Sequence, residues 1–243
     1  VMSQPFSERR LVFVVGAVQF FNILDFMMVM PLGPDFSKGL GIAASKVGFV
    51  GGAYALAASV AGLLGSLFLD RFDRRRALVV CLLGLALGTL LGGFAQGLTS
   101  LMLARVIAGA FGGPATSLAL AMIADLVPIE RRGRAFGAVM GAFSIAAVLG
   151  VPLSLELSQR GGFRLPFFAV AALGLVIALT AGFFLPTVKP VHTRTYANTF
   201  RGLMRPTVLL SYLMTDTVMA AGFVLIPNIS PYLLGNLQYP REH

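Results

Sequence analysis

Two charged side chains stand alone inside long apolar stretches of the sequence. Asp25 lies within residues 11–31, and Arg105 lies within residues 98–127. If both stretches are membrane-spanning helices, a rise of about 1.5 Å per residue places Asp25 about 9 Å and Arg105 about 10 Å below the same membrane surface. A charged residue near the membrane centre costs about 2.5 to 3.5 kcal/mol on insertion scales, so it usually faces a partner or a polar cavity.

We expect Asp25 and Arg105 to line a central cavity and to pair with each other there. Protonation of the carboxylate, or binding of a substrate anion by the guanidinium, would break the pair and so couple a proton to a solute. The alternative is a permanent ion pair that only fixes one helix against another. Asp216 lies about 14 Å deep in the last apolar stretch, and we predict that it faces the same cavity.

Two uncharged polar side chains precede Asp25 in the same stretch. Gln19 and Asn22 share a helix face with Asp25 or Phe26, at a spacing of three to four residues. They can hydrogen-bond a polar solute in the cavity or, alternatively, a neighbouring helix.

The remaining reactive side chains exclude several kinds of site. The single cysteine, and two histidines that lie outside the apolar stretches, cannot assemble a His/Cys metal cluster, so we expect neither a metal nor a cofactor. The sequence has no Gly-x-Ser-x-Gly nucleophile and no intramembrane histidine, so we do not expect an enzyme. Glu156 has Arg160 four residues later, and this spacing favours a solvated surface pair over a coupling site.

The composition shows what kind of element must position these residues. Of the 243 residues 57% are hydrophobic and only 12% are charged, whereas soluble domains carry about 25% charged residues. The net charge of +9 comes from short basic clusters between the apolar stretches, a pattern that predicts loops at an anionic membrane surface and no nucleic-acid partner.

A membrane-spanning helix needs about 20 apolar residues, and barrel strands would alternate over about ten. The stretches in this sequence are long and do not alternate. The sequence therefore predicts an all-α, polytopic membrane helix bundle in a lipid bilayer. The seven predicted spans cover residues 11–31, 46–69, 77–96, 98–127, 135–158, 165–186 and 207–234.

Positive residues are distributed unequally between the alternating loops, thirteen on one side and five on the other. Because Lys and Arg are retained in the cytoplasm, we expect a cytoplasmic N-terminus in a plasma membrane, specifically a bacterial inner membrane. The larger group is Arg9, Arg10, Arg71, Arg74, Arg75, Arg76, Arg131, Arg132, Arg134, Lys189, Arg194, Arg201 and Arg205. The smaller group is Lys38, Lys46, Arg160, Arg164 and Arg241.

The longest polar interruption follows the sixth span and carries four of the inner positive charges. Transporters built from repeats divide their halves with such a connection. The expected organisation is a cytoplasmic N-terminus at 1–10, a six-helix bundle at 11–186, a cytoplasmic linker at 187–206, and a seventh helix that begins a second half at 207–243.

Two motifs resemble those of the major facilitator superfamily. The loop after the second span resembles motif A, although Ser66 and Asp73 replace its two glycines. The matching residues of motif A are Asp70, Arg71, Arg74, Arg75 and Leu78. The fourth span resembles motif B, and its matching residues are Leu101, Arg105 and Gly109.

Two later segments extend the resemblance. The loop after the fourth span is similar to the corresponding loop of the family at Asp125, Pro128, Arg132 and Gly133. The fifth span matches the family's antiporter motif only in part, at Gly141, Gly150 and Pro152.

The resemblance implies the six-helix N-terminal half of a twelve-helix transporter plus its seventh helix, truncated at that point. It is closest to bacterial sugar-efflux and drug:proton antiporter branches, which implies proton-coupled alternating access, with efflux of a drug or sugar-like solute favoured over uptake. In the family the motif B arginine is implicated in proton coupling. Motif A forms a cytoplasmic gate, in which the residue matching Asp70 contacts a helix of the other half.

Two alternatives to an efflux transporter stay open. An uptake symporter would share the fold. A truncated fragment could lack transport activity, or could require the missing C-terminal half or a second copy of the chain. The predicted cytoplasmic N-terminus argues against a typical seven-helix receptor, whose N-terminus lies outside the cell. The expected partners are therefore a small-molecule substrate, a proton and the lipid bilayer.

Overall fold

The computed structural model describes residues 7–188 and, further along the chain, 204–211, 213, 214 and 217. The chain divides into two compact units, Val1–Val191 and His192–His243. In the second unit, the described residues from 206 onward are helical. Asp216 and most of the predicted seventh span lie outside the described residues, and the predicted domain boundaries stay predictions.

The regular secondary structure in the described part of the first unit is helical. The α-helices are α1 Glu8–Met27, α2 Gly33–Leu40, α3 Val47–Phe68, α4 Arg74–Gly93, α5 Leu98–Leu126, α6 Ile129–Ile145, α7 Val151–Gly161 and α8 Arg164–Phe184. Two 3₁₀ turns, Ala44–Lys46 and Leu69–Arg71, precede α3 and follow it. A π-helix, Ala146–Gly150, joins α6 to α7.

Six helices of the described residues are long and apolar enough to cross a membrane. Because the π-helix continues α6 into α7, Ile129–Gly161 forms one span of 33 residues. The all-α, polytopic fold predicted from the apolar stretches is confirmed. The fifth span begins at Ile129, six residues earlier than predicted. Pro128 is the N-cap residue, and the arginines that follow it lie in the first turns of the helix instead of in a loop.

The short helix α2 is absent from the prediction. Pro34 lies at its first turn, where a missing backbone N–H is tolerated, and Gly41 ends it with φ 65° in the left-handed region that favours glycine. Phe36 has no exposed surface and packs edge-on against Phe163, with 5.7 Å between ring centroids. Ser158 of α7 donates a hydrogen bond to Asp35 at 2.7 Å, so α2 is anchored to the end of the fifth span.

The helix α5 lies at the centre of the bundle, with α3 and α4 packed along it. Close approach of α3 and α5 depends on glycine, because a Cβ added at Gly109 or Gly113 would overlap the backbone carbonyls of Tyr54 and Ala58. The helix α1 packs against α5, α6 and α8. Small residues at helix contacts allow this close packing in lipid, where the hydrophobic effect does not drive association.

Candidate functional site

Asp25 and Arg105 form a bidentate ion pair between α1 and α5. Arg105 Nη1 donates to Asp25 Oδ2 at 3.0 Å, and Nη2 donates to Oδ1 at 3.2 Å. Both side chains have 0% exposed surface. Two parallel N–H···O⁻ bonds give an arginine–carboxylate pair both energy and a fixed geometry. The expected pairing is present in the structure.

The C-terminal end of α1 provides a second binding partner for the guanidinium of Arg105. Asp25 is two residues from the last residue of α1, where backbone carbonyls have no partner within the helix. Arg105 Nη1 also donates to the backbone carbonyl of Asp25 at 3.2 Å. A cation at the C-terminus of a helix is favoured by the helix dipole. Arg105 therefore binds both the side chain of Asp25 and the end of α1.

A third helix contacts the carboxylate. The hydroxyl of Thr89 in α4 lies 2.6 Å from Asp25 Oδ1, and the Thr89 side chain has no exposed surface. Aromatic rings contact the guanidinium, since Arg105 Cζ lies 5.2 Å from the Phe167 ring centroid and 5.7 Å from that of Tyr54. Such contacts favour a cation by electrostatic attraction to the ring.

Removal of two charged groups from water has a large desolvation cost. The attraction between the carboxylate and the guanidinium offsets this cost only when their geometry is good. One hydrogen-bonding group of Arg105 is unused, because its Nε has no partner among the described residues. A buried pair with an unused donor is weak evidence for a purely stabilising role. Its energy instead depends strongly on the charge of each partner.

Asn22 connects three helices one turn below the pair. Its amide nitrogen donates to the backbone carbonyl of Gly112 at 2.8 Å and to the hydroxyl of Thr116 at 2.7 Å. Its amide oxygen accepts from the hydroxyl of Tyr54 at 2.6 Å. Both donors of Asn22 are therefore used within the protein, and the side chain holds α1 against α3 and α5.

The structure differs from the expectation of an open cavity at these residues. In this conformation Gln19, Asn22, Asp25 and Arg105 are all buried between helices. The helices α5 and α8 pack against α1, and Tyr54 of α3 and Thr89 of α4 contact this part of it through their side chains. Gln19 is 4% exposed, and its Oε1 has no partner among the described residues. The four residues lie together in the interior of the bundle but line neither of the two cavities below.

A cavity of about 1010 Å³ lies between α1 and α6. Its walls are mainly apolar and include Phe13 and Phe20, and Arg9, Arg131 and Arg134 lie among its lining residues. Glu8, also in the lining, is paired with Arg131 at 3.1 Å. The second cavity, of about 540 Å³, adjoins the N-terminal end of α1.

The motif A loop forms a 3₁₀ turn and the start of α4. Asp73 caps α4 by accepting a hydrogen bond from the backbone N–H of Arg76 at 2.9 Å. Arg74 Nε lies 2.8 Å from Asp125 Oδ2 at the end of α5, so two of the matching segments contact each other. Arg71 is exposed and Arg75 is half-buried, and the side chain of Asp70 lies outside the described residues.

The predicted residues of the fifth span do not form one cluster. Gly141 faces open space, whereas a Cβ added at Gly150 would lie 2.6 Å from Leu24 of α1. Pro152 is exposed, in the first turn of α7. Glu156 and Arg160 form the predicted surface pair, with 2.7 Å between the carboxylate oxygen and the guanidinium.

Three residues of the site, Thr89, Tyr54 and Phe167, are missing from the sequence predictions. Two of them had a detectable signal. Thr89 is the lone hydroxyl side chain in the predicted third span, and Tyr54 is the lone tyrosine in the second. Phe167 is one of twenty phenylalanines, and nothing in the sequence distinguishes it from those that face lipid.

Comparisons with known proteins identify the family of this chain and show how much of each relative's length the chain covers. The family model of the Major Facilitator Superfamily matches residues 15–240. The inner membrane transport protein YdhP of Escherichia coli (strain K12) is 29% identical over 84% of this chain and 52% of its own length. Multidrug resistance protein 2 of Bacillus subtilis (strain 168) is 25% identical over 79% of this chain and 48% of its own length.

The purine ribonucleoside efflux pump NepI of Escherichia coli O6:K15:H31 is 27% identical over 90% of this chain and 54% of its own length. The chain thus spans about half the length of the curated relatives it matches. A bacterial homologue of the human lysosomal transporter Spinster, in an inward-facing and unoccupied conformation, has a TM-score of 0.73 at 19% identity, over 94% of this chain and 56% of its own. The human organic anion transporter MFSD10 has a TM-score of 0.64 at 22% identity, over 85% of this chain and 55% of its own. These two structures share the fold.

Proposed function

The chain belongs to the Major Facilitator Superfamily, and we propose that it acts in a secondary active transporter that exports a small organic solute by proton-coupled alternating access. It is an integral membrane protein of a transporter family and not an enzyme. Two relatives are named as a multidrug resistance protein and as a purine ribonucleoside efflux pump. These names support export, and a drug-like or sugar-containing solute.

The buried pair of Asp25 and Arg105 is the observation that carries the proposal. Both charges are fully buried and each is the other's charged partner. Protonation of Asp25 removes one charge and leaves Arg105 buried without compensation, which is strongly unfavourable. The protein can relieve this by admitting water or an anionic group to Arg105. Because the pair joins α1 to α5, its loss favours a different packing of these helices, and a change between two packings is what alternating access requires.

The solute site is proposed on α1. Gln19 and Asn22 hydrogen-bond solute when α1 separates from α3 and α5. The Oε1 of Gln19, which has no partner among the described residues, is an acceptor already available for it. The cavity between α1 and α6 is the proposed route to this site from the cytoplasm. On the basis of the sequence alone, Asp216 is proposed as a further residue in proton coupling.

The cytoplasmic gate is proposed at the motif A loop. Its residues are Asp70, Arg71, Arg74 and Arg75, and the contact between Arg74 and Asp125 supports a role in holding α4 and α5 together. The rest of the gate belongs to a second half, supplied by further chain or by a second copy. The N-terminus is cytoplasmic in this proposal, supported by the thirteen positive residues on its side. The partial antiporter motif at Gly141, Gly150 and Pro152 supports exchange of proton for solute.

The test uses the full-length protein in inside-out membrane vesicles with an acidic lumen. A tritiated purine ribonucleoside and a fluorescent cationic dye serve as probes. An exporter that exchanges solute for protons accumulates a probe in the acidic lumen. The Asp25→Asn variant loses this accumulation but keeps downhill exchange of the probe. Glu156→Gln, which removes an exposed acid, is the matched control and accumulates probe normally.

Other results would favour the alternatives. Accumulation driven by an alkaline lumen would indicate an uptake symporter. An unchanged pH dependence in Asp25→Asn would remove Asp25 from coupling. The same assay on the 243-residue chain by itself tests the remaining alternatives. No transport of either probe, with a detergent-solubilised mass of one 25.7 kDa chain, would favour the inactive fragment. A dimeric mass together with transport would favour self-assembly.

A further inference from the structure

The hydroxyl of Thr89 has two acceptors within reach and one proton to donate. Its Oγ1 lies 2.6 Å from Asp25 Oδ1 and 2.9 Å from the backbone carbonyl oxygen of Leu85, one turn earlier in α4. Both distances are in the normal range for O–H···O hydrogen bonds. A hydroxyl donates one hydrogen bond but has two acceptor lone pairs. The direction of its bond to Asp25 therefore depends on the charge of the carboxyl group.

The two charge states of Asp25 make opposite demands on Thr89. An ionised carboxylate only accepts, so Thr89 donates to it. A protonated carboxyl group carries an O–H that needs an acceptor. Thr89 can then accept this bond while its own proton rotates to the carbonyl of Leu85. A proton from water adds to the Asp25 carboxylate, the hydroxyl proton changes acceptor, and no other covalent bond forms or breaks.

The other side chains described at the ion pair do not accept a hydrogen bond from this carboxyl group. Arg105 of α5 is the charged group that contacts it, and a guanidinium has donors but no acceptor. Tyr54 is the titratable residue of α3 whose ring contacts Arg105. Its hydroxyl donates to the amide oxygen of Asn22. Phe167 of α8 has no hydrogen-bonding group. Among these neighbours, Thr89 alone can both donate to Asp25 and accept from it.

We propose that Thr89 is a positioning residue that keeps Asp25 hydrogen-bonded in both protonation states by reversing the direction of one hydrogen bond. This inference rests on the proposed function, in which Asp25 takes up and releases a proton. A buried polar group that loses its partner is strongly disfavoured. Thr89 removes this barrier to protonation, and it keeps the carboxyl group in one orientation while its charge changes.

Three variants of the full-length protein separate the hydroxyl from the shape of the side chain. Thr89→Val keeps the shape but can neither donate nor accept, whereas Thr89→Ser keeps the hydroxyl. Thr180 of α8 donates only to the backbone carbonyl of Val176, at 2.7 Å, so Thr180→Val is the matched control. We expect proton-driven accumulation of probe to fall about tenfold in Thr89→Val, the effect of losing one hydrogen bond to a charged group. Thr89→Ser and Thr180→Val retain at least half of the wild-type rate.

Infrared difference spectra between acid and alkaline pH report the hydrogen bond directly. The wild-type protein shows a carboxylic acid C=O band that is absent in Asp25→Asn. In Thr89→Val this band moves to higher frequency, because the acid has lost its acceptor, and in Thr89→Ser it keeps the wild-type frequency. A band at the same frequency in wild type and Thr89→Val would overturn the role of Thr89.

The outcomes distinguish this inference from the function on which it rests. If Asp25→Asn retains both the band and proton-driven transport, Asp25 does not carry the proton, and the proposed function fails. If Asp25→Asn loses both while Thr89→Val matches wild type, only the role of Thr89 fails. Should Thr89→Val not fold, Thr89→Ser still decides, because a band displaced to higher frequency in that variant contradicts a role for the hydroxyl.

Discussion

The region around Asp25 and the fifth span use the same chemical groups with opposite results. Each contains an acid paired with an arginine, at 3.0 Å for Asp25 and Arg105 and 2.7 Å for Glu156 and Arg160. The first pair joins two helices and has no exposed surface, whereas the second lies one turn apart on α7 with its side chains 51% and 73% exposed. The shorter distance belongs to the pair that solvent screens. Burial and helix connectivity, rather than distance, decide which pair can control conformation.

Removal of one partner from the buried pair should have the largest effect on stability. Arg105→Ala leaves Asp25 buried and unpaired, which we expect to reduce stability by about 3 to 5 kcal/mol. The measurement is thermal unfolding of the purified protein in detergent. The double variant Asp25→Leu/Arg105→Met should recover most of this stability, because it leaves no buried charge. Equal losses in the single and double variants would show that shape, not charge, determines the effect.

The hydrogen bonds below the buried pair provide the second test. Asn22→Leu removes three bonds and leaves the hydroxyl of Tyr54 and the carbonyl of Gly112 without these partners. We expect a loss of about 1 to 3 kcal/mol for each buried group left unsatisfied. Thermal unfolding measures the loss. Ser144→Ala, at an exposed position of α6, is the control in the fifth span and should be neutral. A neutral Asn22→Leu would mean that water replaces the lost bonds.

Helix packing gives a third contrast between the regions. Gly113→Ala places a methyl group against the backbone of Ala58, and such overpacking costs about 1 to 3 kcal/mol. Gly137→Ala in α6 meets no atom within 4 Å, so we expect it to be neutral or slightly stabilising. The difference in unfolding temperature between the two alanine variants is the measurement. Similar values would show that α3 and α5 move apart at little cost.

The surface pair of the fifth span should show the smallest effect. We expect Arg160→Gln to change stability by about 0.5 kcal/mol or less, because exposed pairs four residues apart on a helix contribute little. Unfolding at low and high salt checks this, since any contribution should disappear when the charges are screened. A loss comparable to that of Arg105→Ala would remove the distinction between the two regions.

The sequence was sufficient to predict a bundle of membrane helices and the pairing of its two central charged residues. Long apolar stretches specify membrane helices through their length alone, and a charge within such a stretch is conspicuous. Helix rise then places Asp25 and Arg105 at one height. These inferences depend on one helix at a time, which is why they could be made without coordinates.

The neighbours of the pair depend on how helices rotate and approach each other. Thr89 and Tyr54 contact the pair because α4 and α3 present particular faces to α5, and residue type does not specify that rotation. Exposure to a cavity also depends on the conformation of the protein. The sequence therefore places Gln19 and Asn22 on the correct helix but does not predict their packed surroundings. The helix α2 was missed because eight residues give too short a periodic pattern to detect.

The π-helix within the fifth span has a consequence for its far end. Buried residues follow one another at intervals of four from Ala146 through Gly150 and Ser154 to Ser158. In a regular α-helix three such steps would turn the buried side by about 120°. The extra residue in the wider turn compensates for much of this rotation and keeps Ser158 directed at Asp35. If the same residues formed a regular α-helix instead, the serine hydroxyl would point about 100° away from this direction, and α2 would lose its anchor.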